Sequence, residues 1–266
     1  MRRSLALLLA LPLLAACAGT SSAVDGAGSE AKPSVVAAFY PLQYAAQQVG
    51  GSDVDVTNLT QPGVEPHDLE LSAQQVGQIA DADLVLYVKG FQPAVDEAIA
   101  QQAADKAIDV SAALQQLSLD GAADPHVWLD PANMARIGNE ISRRLAEISP
   151  AEADAYESNS KALASTMATL TSEYQAGLAA CRTSTMVVSH DAFGYLAKAF
   201  GLTQVGISGL SPEAEPSPAR IKDVADIVSK EGVTTIYYET LVDPKVAQTL
   251  AEETGATAAK LDPLEG

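Results

Sequence analysis

Between Pro150 and Ala180 the chain runs for some 30 residues almost without a helix breaker, Gly177 near its end excepted. As one helix this run is about 45 Å long, well beyond the ~30 Å width of a small domain. Ala155, Leu163, Met167, Leu170, Tyr174 and Leu178 supply an apolar stripe at helical spacing. Residues 150–181 therefore read as a long rigid backbone helix; two shorter helices kinked near Asn159-Ser160 are the alternative. A helix of this length separates a region before it, 34–149, from one after it, 182–266.

Both regions alternate strand and helix. In the first, strands are expected at Ser34–Phe39, Val54–Leu59, Ala82–Val88 and Ala107–Val110. Helices are expected at Pro41–Val49, Leu69–Ala80, Pro93–Ala104 and Pro131–Ile148. The run Ala-Asp-Leu-Val-Leu-Tyr-Val at 82–88 is nearly continuous in apolar residues, as strands of a parallel sheet covered on both faces are. In the second region, strands at Thr185–Ser189, Thr203–Ile207, Val233–Tyr238 and Thr257–Leu261 interleave with helices at Ala192–Phe200, Pro218–Lys230 and Pro244–Glu253. The fold class is α/β, with two lobes, each a mainly parallel sheet with flanking helices, joined by the long helix.

Ahead of the first strand, residues 1–16 have the form of an export signal. Arg2 and Arg3 precede the apolar run Ser4–Leu14, which is too short to cross a bilayer. Leu14-Ala15-Ala16-Cys17 resembles a bacterial lipobox, which places lipidation on Cys17. Residues 17–33, rich in Gly, Ser and Ala, form a flexible tether. The chain is thus expected outside the cytoplasm, lipid-anchored on the outer face of the cytoplasmic membrane or periplasmic. Its formal net charge of -18 argues against nucleic acid and anionic lipid as partners, since both call for clustered Lys and Arg.

The chain has three histidines, and all stand in similar settings. His67 follows Gly63-Val-Glu-Pro, His126 lies in Asp124-Pro-His-Val-Trp-Leu-Asp130-Pro, and His190 ends the apolar run Thr185-Met-Val-Val-Ser. Each falls at or near the end of an expected strand, where open α/β sheets bind ligands. Asp262, in Leu261-Asp-Pro-Leu-Glu-Gly266, occupies a matching place after the last strand. Three imidazoles and one carboxylate suit Zn(II). A filled four-coordinate shell between lobes suits capture and release better than hydrolysis, so the chain is not expected to be an enzyme; a mono-zinc hydrolase is the competing reading. Asp68, Asp124, Asp130 and Glu239 are acidic neighbours able to orient the imidazoles.

On these motifs, together with Ser189-His-Asp-Ala-Phe-Gly-Tyr195, Gly206-Ile-Ser-Gly-Leu-Ser-Pro-Glu-Ala-Glu215-Pro-Ser and Tyr238-Glu-Thr-Leu-Val-Asp-Pro-Lys245, residues 34–266 closely resemble the zinc/manganese solute-binding lipoproteins of bacterial ABC transporters. The resemblance implies that His67, His126, His190 and Asp262 hold the metal between two α/β lobes. It also implies a monomer that delivers the metal to a membrane permease driven by a cytoplasmic ATPase. Histidine at the third ligand position is the zinc form of the family, so Zn(II) is expected, with Mn(II) or iron as the alternative. Many zinc members carry a His-rich loop before the second ligand; here Gln115–Ala123 holds no histidine. A lipoprotein adhesin that binds metal only for stability is a further alternative. Family members continue past the Leu-Asp-Pro-Leu-Glu-Gly motif into a C-terminal helix, so the natural chain is expected to extend beyond Gly266. In several zinc members a Cys there pairs with the region of Cys181, and the same pairing is expected here.

Overall fold

The computed structural model describes residues 31–266; the signal segment, Cys17 and most of the tether lie outside them. The first sheet contains β1 (Ser34–Ala37), β2 (Asp55–Asn58), β3 (Leu84–Tyr87) and β4 (Ala107–Asp109), in the order β2-β1-β3-β4, all parallel. Its central strands are apolar on both faces: Val35, Val36, Ala37, Leu84, Val85 and Leu86 are all buried. Three helices alternate with these strands: α1 (Tyr40–Gly50), α2 (Ala73–Asp81) and α3 (Pro93–Gln102). α2 starts four residues later than its apolar pattern suggests, because Ser72 and Gln75 form a reciprocal capping box that fixes the first turn.

The second sheet repeats the arrangement. β7 (Thr185–Val188), β8 (Thr203–Gly206), β9 (Thr235–Tyr238) and β10 (Thr257–Lys260) are parallel in the order β10-β9-β7-β8. In both sheets the second strand lies on one side of the first, and the third and fourth lie on the other. This reversal creates a crevice beyond the carboxyl ends of the first and third strands, β1/β3 in one sheet and β7/β9 in the other. The helices of this half are α6 (Gly194–Phe200), α7 (Pro218–Glu231) and α8 (Lys245–Thr254). One face of the second sheet packs on α7 and α8 through Val187, Ile236, Val224, Val228 and Leu250.

The expected long helix is present and unbroken. A single 3-10 turn at Pro150–Glu152 leads into α5 (Ala153–Leu178), 26 residues with no kink at Asn159-Ser160. It packs along α4 (Pro131–Ile148) and touches α1 of the first half and α6 of the second. The α4–α5 approach depends on Gly138, where a Cβ would lie 2.7 Å from Leu163 Cδ2. One apolar core runs continuously from β1 and β3 through α4 and α5 to Met186, Val188, Phe193 and Leu196 of the second half. Residues Lys32–Gly266 accordingly form one compact unit containing two sheets.

A short hairpin, β5 (Ser118–Leu119) with β6 (Ala122–Ala123), fills the segment before His126. Its turn is Asp120-Gly121, with φ of 50° and 86°, the left-handed pair that a two-residue hairpin loop requires.

Candidate metal centre

Each histidine is fixed by local chemistry before it meets the others. His67 follows a turn closed by the Val64 amide donating to the Gln61 carbonyl; its own amide donates to Glu65 Oε1 at 3.0 Å. The ring packs edge-on against Phe91, which follows β3, with centroids 4.6 Å apart. His126 opens the 3-10 turn Val127–Leu129, and its amide donates to Asp124 Oδ1 at 3.0 Å. His190 stands two residues past β7, beside Glu239, which immediately follows β9. His190 and Glu239 thus occupy the crevice of the second sheet.

Two carboxylates set the imidazole orientation. Asp124 Oδ1 lies 2.7 Å from His126 Nδ1, and Glu239 Oε1 lies 2.7 Å from His190 Nδ1; the Ser189 hydroxyl also donates to Glu239. An ionised carboxylate only accepts hydrogen bonds, so Nδ1 of each ring carries a proton and Nε2 is the nitrogen left to hold a metal. Both Nε2 atoms point to the same place, 3.2 Å apart. Glu265 completes the group: Oε1 lies 3.4 Å from His126 Nε2 and 3.8 Å from His190 Nε2, while Oε2 lies 3.6 Å from His67 Nε2. One donor atom from each of these four residues lies within 4.8 Å of all the others. A tetrahedral ion bound at ~2.0–2.1 Å calls for donors about 3.4 Å apart; the four contacts above run from 3.2 to 3.8 Å.

The electrostatics agree with a cation site. Burial, then the nearby His126 and His190, push His67 down to about 3, so its ring is neutral at pH 7. Burial opposes charging of His126, but the hydrogen bonds and charges of Asp124 and Glu265 outweigh it and push the ring up to about 9. Burial likewise raises Glu65 to about 7 despite its bond from the His67 amide. His67 Nε2 and Glu265 Oε1 are buried without a hydrogen-bond partner among the described residues. Two orphaned acceptors facing one point are what a metal ion satisfies.

The three histidines come together as the sequence suggests, and Asp262 does not join them. Its Oδ1 accepts from the Leu264 amide at 2.8 Å and its Oδ2 from the Thr240 hydroxyl at 2.6 Å, and the residue is exposed. The fourth carboxylate is Glu265, three residues on. Both Asp262 oxygens are taken up by these bonds, Leu264 after it adopts a left-handed φ of 61°, and Glu265 is buried. Sequence reasoning included Glu265 in the right motif without assigning it a role. Of the four acidic neighbours proposed as orienters, Asp124 and Glu239 act on imidazoles. Asp130 instead caps α4 through the Ala132 amide. Asp68 is exposed.

The residue that orients His126 is itself held, through its backbone, by α6. The Tyr195 hydroxyl of α6 donates to the Asp124 carbonyl at 3.2 Å and accepts from the Leu117 amide at 2.9 Å. A Cβ at Gly194 would lie 2.5 Å from Asp124 Oδ2. Gly194→Ala therefore displaces the Asp124 carboxylate from His126 Nδ1. The expected result is a 10- to 100-fold loss of metal affinity, roughly the effect of removing an orienting partner. Titration of Gly194→Ala with Zn(II) against a chelator checks this; unchanged affinity means that Asp124 does not depend on this contact.

Cys181 is a free, exposed thiol, and no disulfide is present among the described residues. No helix among them is long and apolar enough to cross a membrane.

Comparison with known proteins places the fold and the site in context. The family model described as ZnuA, zinc-uptake complex component A, periplasmic, matches residues 35–266. The high-affinity zinc uptake system protein ZnuA of Bacillus subtilis is 33% identical over 273 residues, covering 96% of this chain and 86% of that protein. The zinc-binding lipoprotein AdcA of Streptococcus pneumoniae is 33% identical over 270 residues, covering 95% of this chain and 53% of its own length. This chain thus spans about half the length of the AdcA relatives it matches. Among solved structures, the laminin-binding protein Lmb of Streptococcus agalactiae, described as a bifunctional adhesin and metal transporter, superposes with a TM-score of 0.82 at 36% identity, covering 89% of this chain and 91% of that one.

Proposed function

The chain belongs to the ZnuA family of periplasmic zinc-uptake components, and on that premise we propose that it is the metal-capturing subunit of an ABC importer. It takes up Zn(II) with His67, His126, His190 and Glu265 and hands the ion to a membrane permease driven by a cytoplasmic ATPase. The carrying observation is the convergence of three imidazoles and one carboxylate, with donor atoms all within 4.8 Å of one another and two of the rings held by carboxylates at Nδ1. Three nitrogen donors favour zinc over manganese, which prefers more oxygen. The zinc-binding names of the relatives from Bacillus subtilis and Streptococcus pneumoniae support the same metal.

All four positions of the shell are supplied by protein, so no place is kept for a nucleophilic water, in keeping with transport rather than catalysis. Asp262 holds the turn that presents Glu265, rather than the metal. Lipidation at Cys17 fits the lipoprotein named from Streptococcus pneumoniae and places the binding unit outside the cytoplasmic membrane, where it works as a monomer on a tether.

A competition titration of the metal-stripped protein with Zn(II) against Mn(II) at pH 7 tests the proposal. Tight one-to-one zinc binding with little displacement by manganese is expected. Preference for manganese overturns the metal assignment, and binding of neither metal overturns the transport reading.

A further inference from the structure

The four donors do not share one lobe. His67 and His126 are borne by the first, and His190 by the second. Glu265 is borne by a strap, Leu261–Glu265, that leaves β10 of the second sheet and crosses towards the first. The strap is tied at two points. On its own side, the Leu261 amide donates to the Tyr238 carbonyl at 2.9 Å, and Asp262 bonds Thr240 and the Leu264 amide. On the far side, Trp128 Nε1 donates to the Pro263 carbonyl at 2.8 Å, joining residues 135 positions apart.

Trp128 is well suited to anchor the strap. It is 5% exposed and wedged between Phe39 and Phe91, with ring centroids at 4.7 and 5.2 Å. It belongs to the same 3-10 turn that His126 opens, two residues away. The indole has a single donor, and that donor is spent on Pro263. A buried, rigid turn in one lobe therefore carries both a ligand and the tie for the strap that delivers the opposing ligand. The strap itself is not at rest. Leu264 adopts a left-handed φ of 61°, which a non-glycine residue resists, and leaves 54% of its side chain exposed. Such a conformation persists only where the surroundings hold it.

We propose that Trp128 is the positioning residue for Glu265: its hydrogen bond to Pro263 pins the strap across the lobe boundary and so sets the fourth donor of the zinc shell. When that bond is absent, the strap relaxes at Leu264 and Glu265 withdraws. This rests on the zinc-capture reading above, and the test separates the two.

Trp128→Phe keeps an aromatic wedge and deletes the donor. Zinc affinities are measured by chelator competition for the wild type, Trp128→Phe, Glu265→Gln and the double variant. Trp128→Phe is expected to bind zinc about tenfold more weakly, at the lower end of orienting-partner effects. The double variant is expected to bind no more weakly than Glu265→Gln alone, because the indole acts only through that carboxylate. The Co(II)-loaded Trp128→Phe protein should show a visible spectrum shifted towards that of Glu265→Gln. Unchanged affinity in Trp128→Phe, or losses that multiply in the double variant, overturns the proposal by making Trp128 a packing residue alone. Should Trp128→Phe fail to fold, Leu264→Val carries the same cycle: the residue is exposed, and a β-branched side chain tolerates the left-handed turn least. Loss of zinc that does not multiply with Glu265→Gln supports the strap; unchanged or multiplying loss overturns it. A wild type that binds no zinc refutes the capture function itself, a different outcome from either.

Discussion

His67→Ala is expected to lower zinc affinity by more than about 100-fold and to leave the metal-free protein folded. Removing a group that merely orients a ligand costs about 10- to 100-fold, so losing a donor costs more. The metal-free fold survives because of how His67 is held. Burial keeps the ring neutral at pH 7, and Nε2 has no hydrogen-bond partner among the described residues. Deleting the ring strands no charge. The expected stability change is the loss of its contact with Phe91, on the order of 1 kcal/mol. His126→Ala and His190→Ala are less clean, since they leave Asp124 and Glu239 buried without their imidazole partners. Chelator competition and thermal unfolding without metal check both halves, and an affinity within error of wild type would remove His67 from the shell.

Zinc affinity is expected to rise about 100-fold between pH 6 and pH 8. Burial alone would lower His126, but Asp124 and Glu265 push it up to about 9, so the ring holds an extra proton in this whole range. Zinc needs the Nε2 lone pair and must displace that proton, so each pH unit below 9 costs about tenfold. Titrations at pH 6, 7 and 8 read the slope directly, and a flat profile would show that His126 is already deprotonated in the metal-free site. The same shift has an opposite face in the metal-free fold. A raised imidazole contributes stability that is full below about pH 6.5 and fades as pH rises through about 9. His67, shifted down, contributes stability that is present above 6.5 and is lost as pH falls towards 3.

Much of the architecture is legible in the sequence because parallel strands covered on both faces are continuously apolar. Leu84–Tyr87 and Thr185–Val188 stand out for that reason, and α5 stands out because it lacks breakers. The start of α2 is less legible: the apolar pattern from Leu69 continues past the true boundary, and a two-residue capping box decides it. The β5–β6 hairpin has an explicit signal, Asp120-Gly121, on strands too short to show alternation. At the site, the histidines are legible because they are few and each follows a strand. The choice between Asp262 and Glu265 is not. Asp262 is taken up by Thr240 and the Leu264 amide, and the turn between the two acids contains a left-handed leucine, a conformation a sequence reading expects at Gly or Asn. Nothing in a Leu-Asp-Pro-Leu-Glu-Gly string announces which acid faces inwards.

The spacing of the donors along the chain has a kinetic consequence. From His67 to His126 is 59 residues, from there to His190 is 64, and from there to Glu265 is 75. No local segment contains two of them, and closing loops of this size is entropically expensive and comes late on a folding pathway. A partly folded chain thus offers zinc isolated imidazoles rather than a site. The ion's binding energy is collected only after the last long-range contact has formed. Zinc then acts on the departure from the native state rather than on the approach to it: it slows unfolding while leaving the folding rate nearly untouched. This arrangement lets the chain reach its native state first and acquire its metal afterwards.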